Sequence, residues 1–228
     1  MNTFIIFCIA YIFLFISVKL IKWIFFEAKP RIESTESKGT ANQLILASAS
    51  PRRVKLLEQI GVTPSLVIHA DIDEIPKKAE RPGLFAKRMA LAKALKISHS
   101  HGDKYVLAAD TVVAVGRTIL PKAETKDDVR EFMKQLGGRN HRVYGGICLI
   151  QPGGSVWQRL VETRVFMRRL SSDEISSYVD FDDWIGKAGG YAIQGRAAQY
   201  IKRISGSYSN VVGLDLYTTS KLLRGVGF

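Results

Sequence analysis

Leu44-Ile45-Leu46-Ala47-Ser48-Ala49-Ser50-Pro51-Arg52-Arg53 is the stretch on which the reading of this chain turns. Its first four residues form a short apolar run that reads as a buried strand. A helix start follows. Pro51 suits a first turn, where its missing N–H would have no partner, and Val54, Leu56, Leu57 and Ile60 carry helical apolar spacing as far as Gly61. A strand that feeds a helix N-terminus presents free backbone N–H groups and the positive end of the helix dipole, where anions gather. Arg52 and Arg53 add guanidinium groups that can grip phosphate oxygens in pairs. The residues from Ser48 to Arg53 also suit an ordinary capped helix with solvated arginines, and alone they do not choose between the two.

From Asn42 onward, strand-like and helix-like segments alternate without an internal repeat. This predicts an α/β fold, a mixed twisted sheet flanked by helices with a cleft between two lobes. Leu66 to Ala70 reads as a second strand that runs into the acidic Asp71-Ile72-Asp73-Glu74. A helix begins at Pro82, with Leu84, Phe85, Met89, Leu91, Ala92 and Leu95 as its apolar positions and Arg88 and Lys93 on another face. Tyr105 to Ala109 reads as a short strand ending on Asp110, with extended chain from Thr111 to Val115, a turn at Gly116-Arg117, and Thr118 to Leu120 leading to Pro121-Lys122. Thr125 with Asp128 and Ser171 with Glu174 have capping-box spacing, which predicts helices over 126–136 and 172–180. Between them, Val143 to Ile150 and Val156 to Met167 read as a hairpin around Gln151-Pro152-Gly153-Gly154. A glycine-rich run with Lys187, Gly189, Gly190 and Gln194 then leads to a strand near 200–204 and a C-terminal helix.

A chain of 228 residues with 46% hydrophobic content can bury a full core. The net charge of +12 becomes +10 without residues 1–40, so an anionic partner is expected: nucleotide, nucleic acid or anionic lipid. Two cysteines exclude a disulfide framework, and four scattered histidines give no zinc spacing. Residues 1–41 read as a hydrophobic leader and polar tether ahead of a domain over 42–228. The leader predicts an N-terminal hydrophobic helix with membrane association through residues 4–26. Its positive charges, Lys19 and Lys22, come after the apolar run, unlike a cleaved signal peptide, and would place the domain in the cytoplasm at the inner face of the membrane. An alternative stays open, in which these residues are a translated upstream segment.

Asp110, at the expected end of a buried strand, is the best-placed carboxylate for coordinating a divalent cation or orienting a water. Glu74 offers a second carboxylate, while Lys93, Lys122, Arg52 and Arg53 can neutralise a phosphoryl group. Taken singly, each has a plain reading as a turn, a solvated loop or a surface charge. No P-loop spacing is present, and His141 reads as a satisfied hydrogen-bonding residue rather than a base.

Taken together, SASPRR, DIDE, RMALAKA, AADTVV, PKAET, KAGGYAIQG and GSYSNVVGL, in this order from about Leu44 to Leu223, resemble the Maf family of nucleoside triphosphate pyrophosphatases. The resemblance implies hydrolysis between the α and β phosphates with a divalent metal, Mg²⁺ or Mn²⁺. It implies Asp110 as proton acceptor, Glu74 and Asp110 toward the metal, and Arg53, Lys93 and Lys122 on the phosphates. Ser50 would join the substrate contacts, and Arg52, Thr111 and Gln194 match positions that sort the family by base, here the dTTP/UTP branch. A homodimer is kept open, and no stable nucleic-acid partner is expected. The chain departs from the family at Ala123, where a proline usually follows the lysine, and at Asp215, read as a helix cap. The competing readings are a basic nucleic-acid-binding module and a membrane-tethered, division-related protein without hydrolase activity.

Overall fold

The computed structural model describes residues 43–228. The predicted leader helix and its tether lie outside the described residues. Strands β1 (Leu44–Ala47), β2 (Leu66–Ile68), β3 (Tyr105–Val115), β4 (Thr118–Leu120), β5 (Asn140–Ile150), β6 (Val156–Met167) and β7 (Ile201–Ser205) form one seven-stranded sheet ordered β2-β1-β3-β5-β6-β7, with β4 on β3. Pairing of β1 with β2 and with β3 is parallel, and the rest is antiparallel, so the sheet is mixed. Helices α1 (Pro51–Gln59), α2 (Pro82–Ser98), α3 (Lys126–Leu136), α4 (Ser172–Val179), α5 (Tyr208–Val212) and α6 (Leu216–Gly225) flank it. Both capping boxes form, and Asp215 caps α6 by accepting from Thr218 N at 2.7 Å.

Side chains alternate across a sheet, and this alternation places everything that follows. Leu44 and Leu46 of β1, Leu107 and Ala109 of β3, and Ile147 and Leu149 of β5 pack with Leu56 and Leu57 of α1 and Leu222 and Leu223 of α6. Their neighbours Ile45, Ala47, Val106, Ala108 and Cys148 face α2 through Ala90, Ala94 and Ile97. A third core joins Val113, Val143 and Val165 to α3 and α4.

Two expectations are corrected here. Asp110 does not end a strand: β3 runs unbroken for 11 residues and Asp110 lies in its middle. On α2, Leu84 and Leu95 are 57% and 47% exposed, whereas Lys93 is buried with Gly83, Ala86, Ala90 and Ala94. Small residues win the inner face because the helix backbone touches the sheet. A Cβ on Gly146 of β5 would lie 2.2 Å from the Ala86 carbonyl oxygen.

His141 of β5 is buried and its Nε2 lies 2.7 Å from the Tyr191 hydroxyl, with Nδ1 unpartnered among the described residues. Burial disfavours the imidazolium and holds its pKa down at about 4. An unfolded histidine titrates near 6.5, so below that pH the unfolded chain binds a proton that the folded protein refuses. The stability from this neutral imidazole is therefore full above about pH 6.5 and lost as pH falls toward about 4, a change on the order of 3 kcal/mol. Urea midpoints should fall across this window, and His141→Gln should flatten it; an unchanged profile would refute the assignment.

Candidate active site

Strand β1 pairs with β3 as far as Ala108, and β4 takes up the same edge at Val113 because β5 occupies the other. Residues 109–112 therefore lack a partner on that edge. A cavity of about 370 Å³ lies at this gap, and Ser50, Arg52, Arg53, Glu74, Lys93, Asp110, Thr111, Lys122 and Gln194 all line it. Alternation along β3 turns Asp110 to the α2 face and Thr111 to the α1 face. Each meets a cation from its helix.

On the α2 face, Lys93 Nζ lies 2.6 Å from Asp110 Oδ1 and 2.7 Å from Glu74 Oε1, while Lys122 Nζ lies 3.1 Å from Glu74 Oε2. Asp110 Oδ2 accepts from no donor among the described residues. Partial burial pushes the Glu74 carboxyl up, but the hydrogen bond and charge of Lys93, joined by those of Lys122, outweigh it and hold the pKa at about 2. The acidic loop is tied to α2: Arg88 donates to the Ile75 carbonyl at 3.0 Å and pairs with Glu80, and Lys96 donates to the Asp71 carbonyl. Of the acidic cluster, only Glu74 reaches the cavity. Among the described residues no three His, Cys, Asp or Glu side chains converge. Two carboxylates beside a phosphate-sized cavity nevertheless suit Mg²⁺ or Mn²⁺, since Mg²⁺ is held by one or two carboxylates with waters and substrate oxygens. The donor set fits a metal shared with a ligand.

On the α1 face, Arg53 is buried and donates from Nη1 to Ser48 Oγ at 2.8 Å, from Nη2 to Thr111 Oγ1 at 3.2 Å and from Nε to the Gly213 carbonyl at 2.9 Å. Thr111 also donates to that carbonyl. The guanidinium is thus locked to three elements, with one N–H left on each terminal nitrogen. Arg52 donates from Nε to the Val212 carbonyl at 3.3 Å. Ser50 occupies the N-cap position of α1 yet makes no cap bond, and its buried hydroxyl has no partner among the described residues. A buried hydroxyl without a partner is costly, and a ligand oxygen in the cavity supplies one. Gln194 is exposed at the rim.

Sequence reasoning passed over Ser48, whose signal was its place at the strand end two residues before the N-cap. Its hydroxyl accepts from both Arg53 Nη1 and Ser50 N, the latter at 3.1 Å. Ser48→Ala removes a charge-assisted bond, so kcat/KM of the reaction proposed below should fall about 10- to 100-fold with the fold retained. Unchanged kinetics would show that Arg53 needs no such support.

Residues 43–226 match the family described as Maf-like protein. The chain is 55% identical over 192 residues to a protein of Mesorhizobium japonicum named dTTP/UTP pyrophosphatase, covering 82% of this chain and 92% of the relative. It is also 55% identical over 185 residues to a protein of the same name from Paramagnetospirillum magneticum, covering 81% and 97%. A solved nucleoside-triphosphatase / dITP/XTP pyrophosphatase from Mycobacterium abscessus gives a TM-score of 0.42 at 13% identity, over 81% of this chain and 94% of its own, too loose a likeness to carry an argument. With these motifs gathered around one cavity, a family match over residues 43–226 and more than half of the aligned residues identical to such relatives, the chain belongs to the Maf family.

Proposed function

We propose that this chain is a nucleoside triphosphate pyrophosphatase that hydrolyses the α–β anhydride of dTTP, UTP or modified nucleotides to a nucleoside monophosphate and pyrophosphate, and so clears the nucleotide pool. The observation that carries it is one buried carboxylate, Asp110, set among cations in a cavity that also holds an unpartnered hydroxyl at a helix N-terminus. The shared name of the relatives supports the reaction and the pyrimidine preference.

Asp110 Oδ2 takes a proton from water as the water attacks the α phosphorus. Lys93 holds the carboxylate in place through Oδ1 and so leaves the second oxygen for the water. Arg53, fixed by Ser48, Thr111 and Gly213, directs its two remaining N–H groups to phosphate oxygens, while Ser50 donates its hydroxyl. Pyrophosphate departs against Arg53, Lys93 and Lys122, which offset the charge that builds on it. Glu74 and Asp110 would hold Mg²⁺ or Mn²⁺, whose chemistry is to neutralise phosphate charge. Arg52, Thr111 and Gln194 face the base. The lysines after the apolar leader favour a cytoplasmic place for this reaction. A nucleic-acid-binding module is not favoured, because Glu74 and Asp110 would repel a phosphate backbone unless a metal intervened, and the relatives are named as pyrophosphatases.

The test is pyrophosphate release by the purified protein with Mg²⁺ or Mn²⁺ across dTTP, UTP, CTP, ATP, GTP and modified nucleotides. Preferential turnover of dTTP and UTP is expected. Turnover of another set would discard the roles of Arg52, Thr111 and Gln194, and no release at all would discard the enzyme.

A further inference from the structure

The cations around the cavity divide into two sets. Lys93 and Lys122 are neutralised by Glu74 and Asp110 at 2.6 to 3.1 Å. Arg52 and Lys187 have no carboxylate within salt-bridge distance among the described residues. Lys187 is half-buried on the cavity wall and, among the described residues, its ammonium donates only to the Ile185 carbonyl, two residues back, at 2.7 Å. Asp183, the nearest acid in its own loop, accepts instead from the backbone N–H of Arg196 at 2.8 Å. The backbone that carries Lys187 is fixed on both sides. Trp184 is buried and donates its indole N–H to the Val179 carbonyl, while Ala188 bridges to Lys122 and Gly189 N donates to the Pro121 carbonyl at 2.9 Å. Arg52 is likewise pinned through Nε, and its two Nη groups are uncommitted among the described residues. Burial, and after it the charge of Arg52, push the Lys187 ammonium down from its ordinary range against a smaller opposing pull from Asp183. A lysine held half-buried beside another cation, on a rigid mount, is an unfavourable arrangement that a bound anion relieves.

We propose that Lys187 and Arg52 form a second anion seat in this cavity, one that takes phosphate oxygens of the departing pyrophosphate. The inference rests on the pyrophosphatase reading and follows from where charge lies in the substrate. The α phosphate must sit by Asp110, and the two lysines that Arg53 joins in receiving the departing pyrophosphate are already partly matched by acids. The β and γ phosphates carry most of the negative charge, so they also call on the cations that lack acids. A guanidinium has five N–H donors, so an oxygen held here does not displace contacts of Arg52 to the base.

The test is calorimetric binding, in Mg²⁺, of inorganic pyrophosphate and separately of dTMP and UMP to the full chain, to Lys187→Met and to Lys187→Arg. Pyrophosphate should bind Lys187→Met at least tenfold more weakly than wild type, with most of the loss restored in Lys187→Arg, and both monophosphates should bind within twofold of wild type. Lys187→Gln, which keeps much of the side-chain stem, guards against a folding defect in Lys187→Met. Unchanged pyrophosphate binding in these variants, an equal loss for the monophosphates, or no pyrophosphate binding by the wild type would overturn the seat. Failure of the pyrophosphatase reading looks different: the wild type would bind pyrophosphate yet release none from any nucleotide.

Discussion

Asp110→Asn abolishes pyrophosphate release, with kcat down by about 10³-fold or more, while the protein stays folded. A positioned general base contributes about 10²- to 10⁴-fold, and asparagine, nearly the same shape, cannot take the proton. The variant also removes a negative charge at the place where a cation and the α phosphate are to meet. The fold survives for a reason visible in the geometry. Lys93 Nζ keeps Glu74 Oε1 at 2.7 Å when the Asp110 charge is gone, so no buried ammonium is stranded, the usual cause of collapse when one half of a buried pair is removed. Single-turnover rates on dTTP, with melting followed by circular dichroism, check both halves. Near-wild-type turnover would remove Asp110 from the mechanism; a lost fold would show that Glu74 does not hold Lys93 alone.

The sequence carried the elements well and the approach of their backbones poorly. Capping boxes at Thr125 and Ser171, the turn at Gln151 to Gly154 and the strand-to-helix step at Ser48 to Arg53 are local signals, and each forms near its expected place. Periodicity misled on α2. It ranked Leu84 and Leu95 above Ala86, Ala90 and Ala94, although closeness of packing, which no local pattern encodes, decides the inner face. The same blindness hid α5, five residues long. It is held by Asn210, whose side-chain amide donates to the Val143 carbonyl at 3.2 Å over Gly145. All nine candidate site residues line one cavity because motifs distant in sequence meet at a gap in β3. That gap exists because β1 and β4 are both short, a fact of pairing rather than of residue type.

Gly146→Ala should do the most damage to the fold and the site together. The added Cβ would sit 2.2 Å from the Ala86 oxygen, 2.5 Å from its carbonyl carbon and 2.9 Å from Lys87 N. These are backbone atoms of a helix, so no side-chain rotation relieves the clash. A carbon and a carbonyl oxygen rest at about 3.3 Å or more, so α2 must lift from β5 by roughly 1 Å. Lifting opens the contacts of Ala90 and Ala94 with β1 and β3, and strain of this kind costs about 1 to 3 kcal/mol or more. In a domain of this size that lowers Tm by roughly 3 to 10 °C. The same movement draws Lys93 from Asp110, whose 2.6 Å contact depends on where α2 lies. A displacement of about 1 Å at a catalytic group can cost 10²-fold, so kcat/KM for dTTP should fall about 100-fold even well below the new Tm. Gly225→Ala is the control, because a Cβ there meets nothing within 4 Å, and it should shift stability by less than about 0.5 kcal/mol. If Gly146→Ala melts and turns over like wild type, then the seating of α2 on the sheet does not position Lys93, and a glycine in β5 is not coupled to the chemistry on β3.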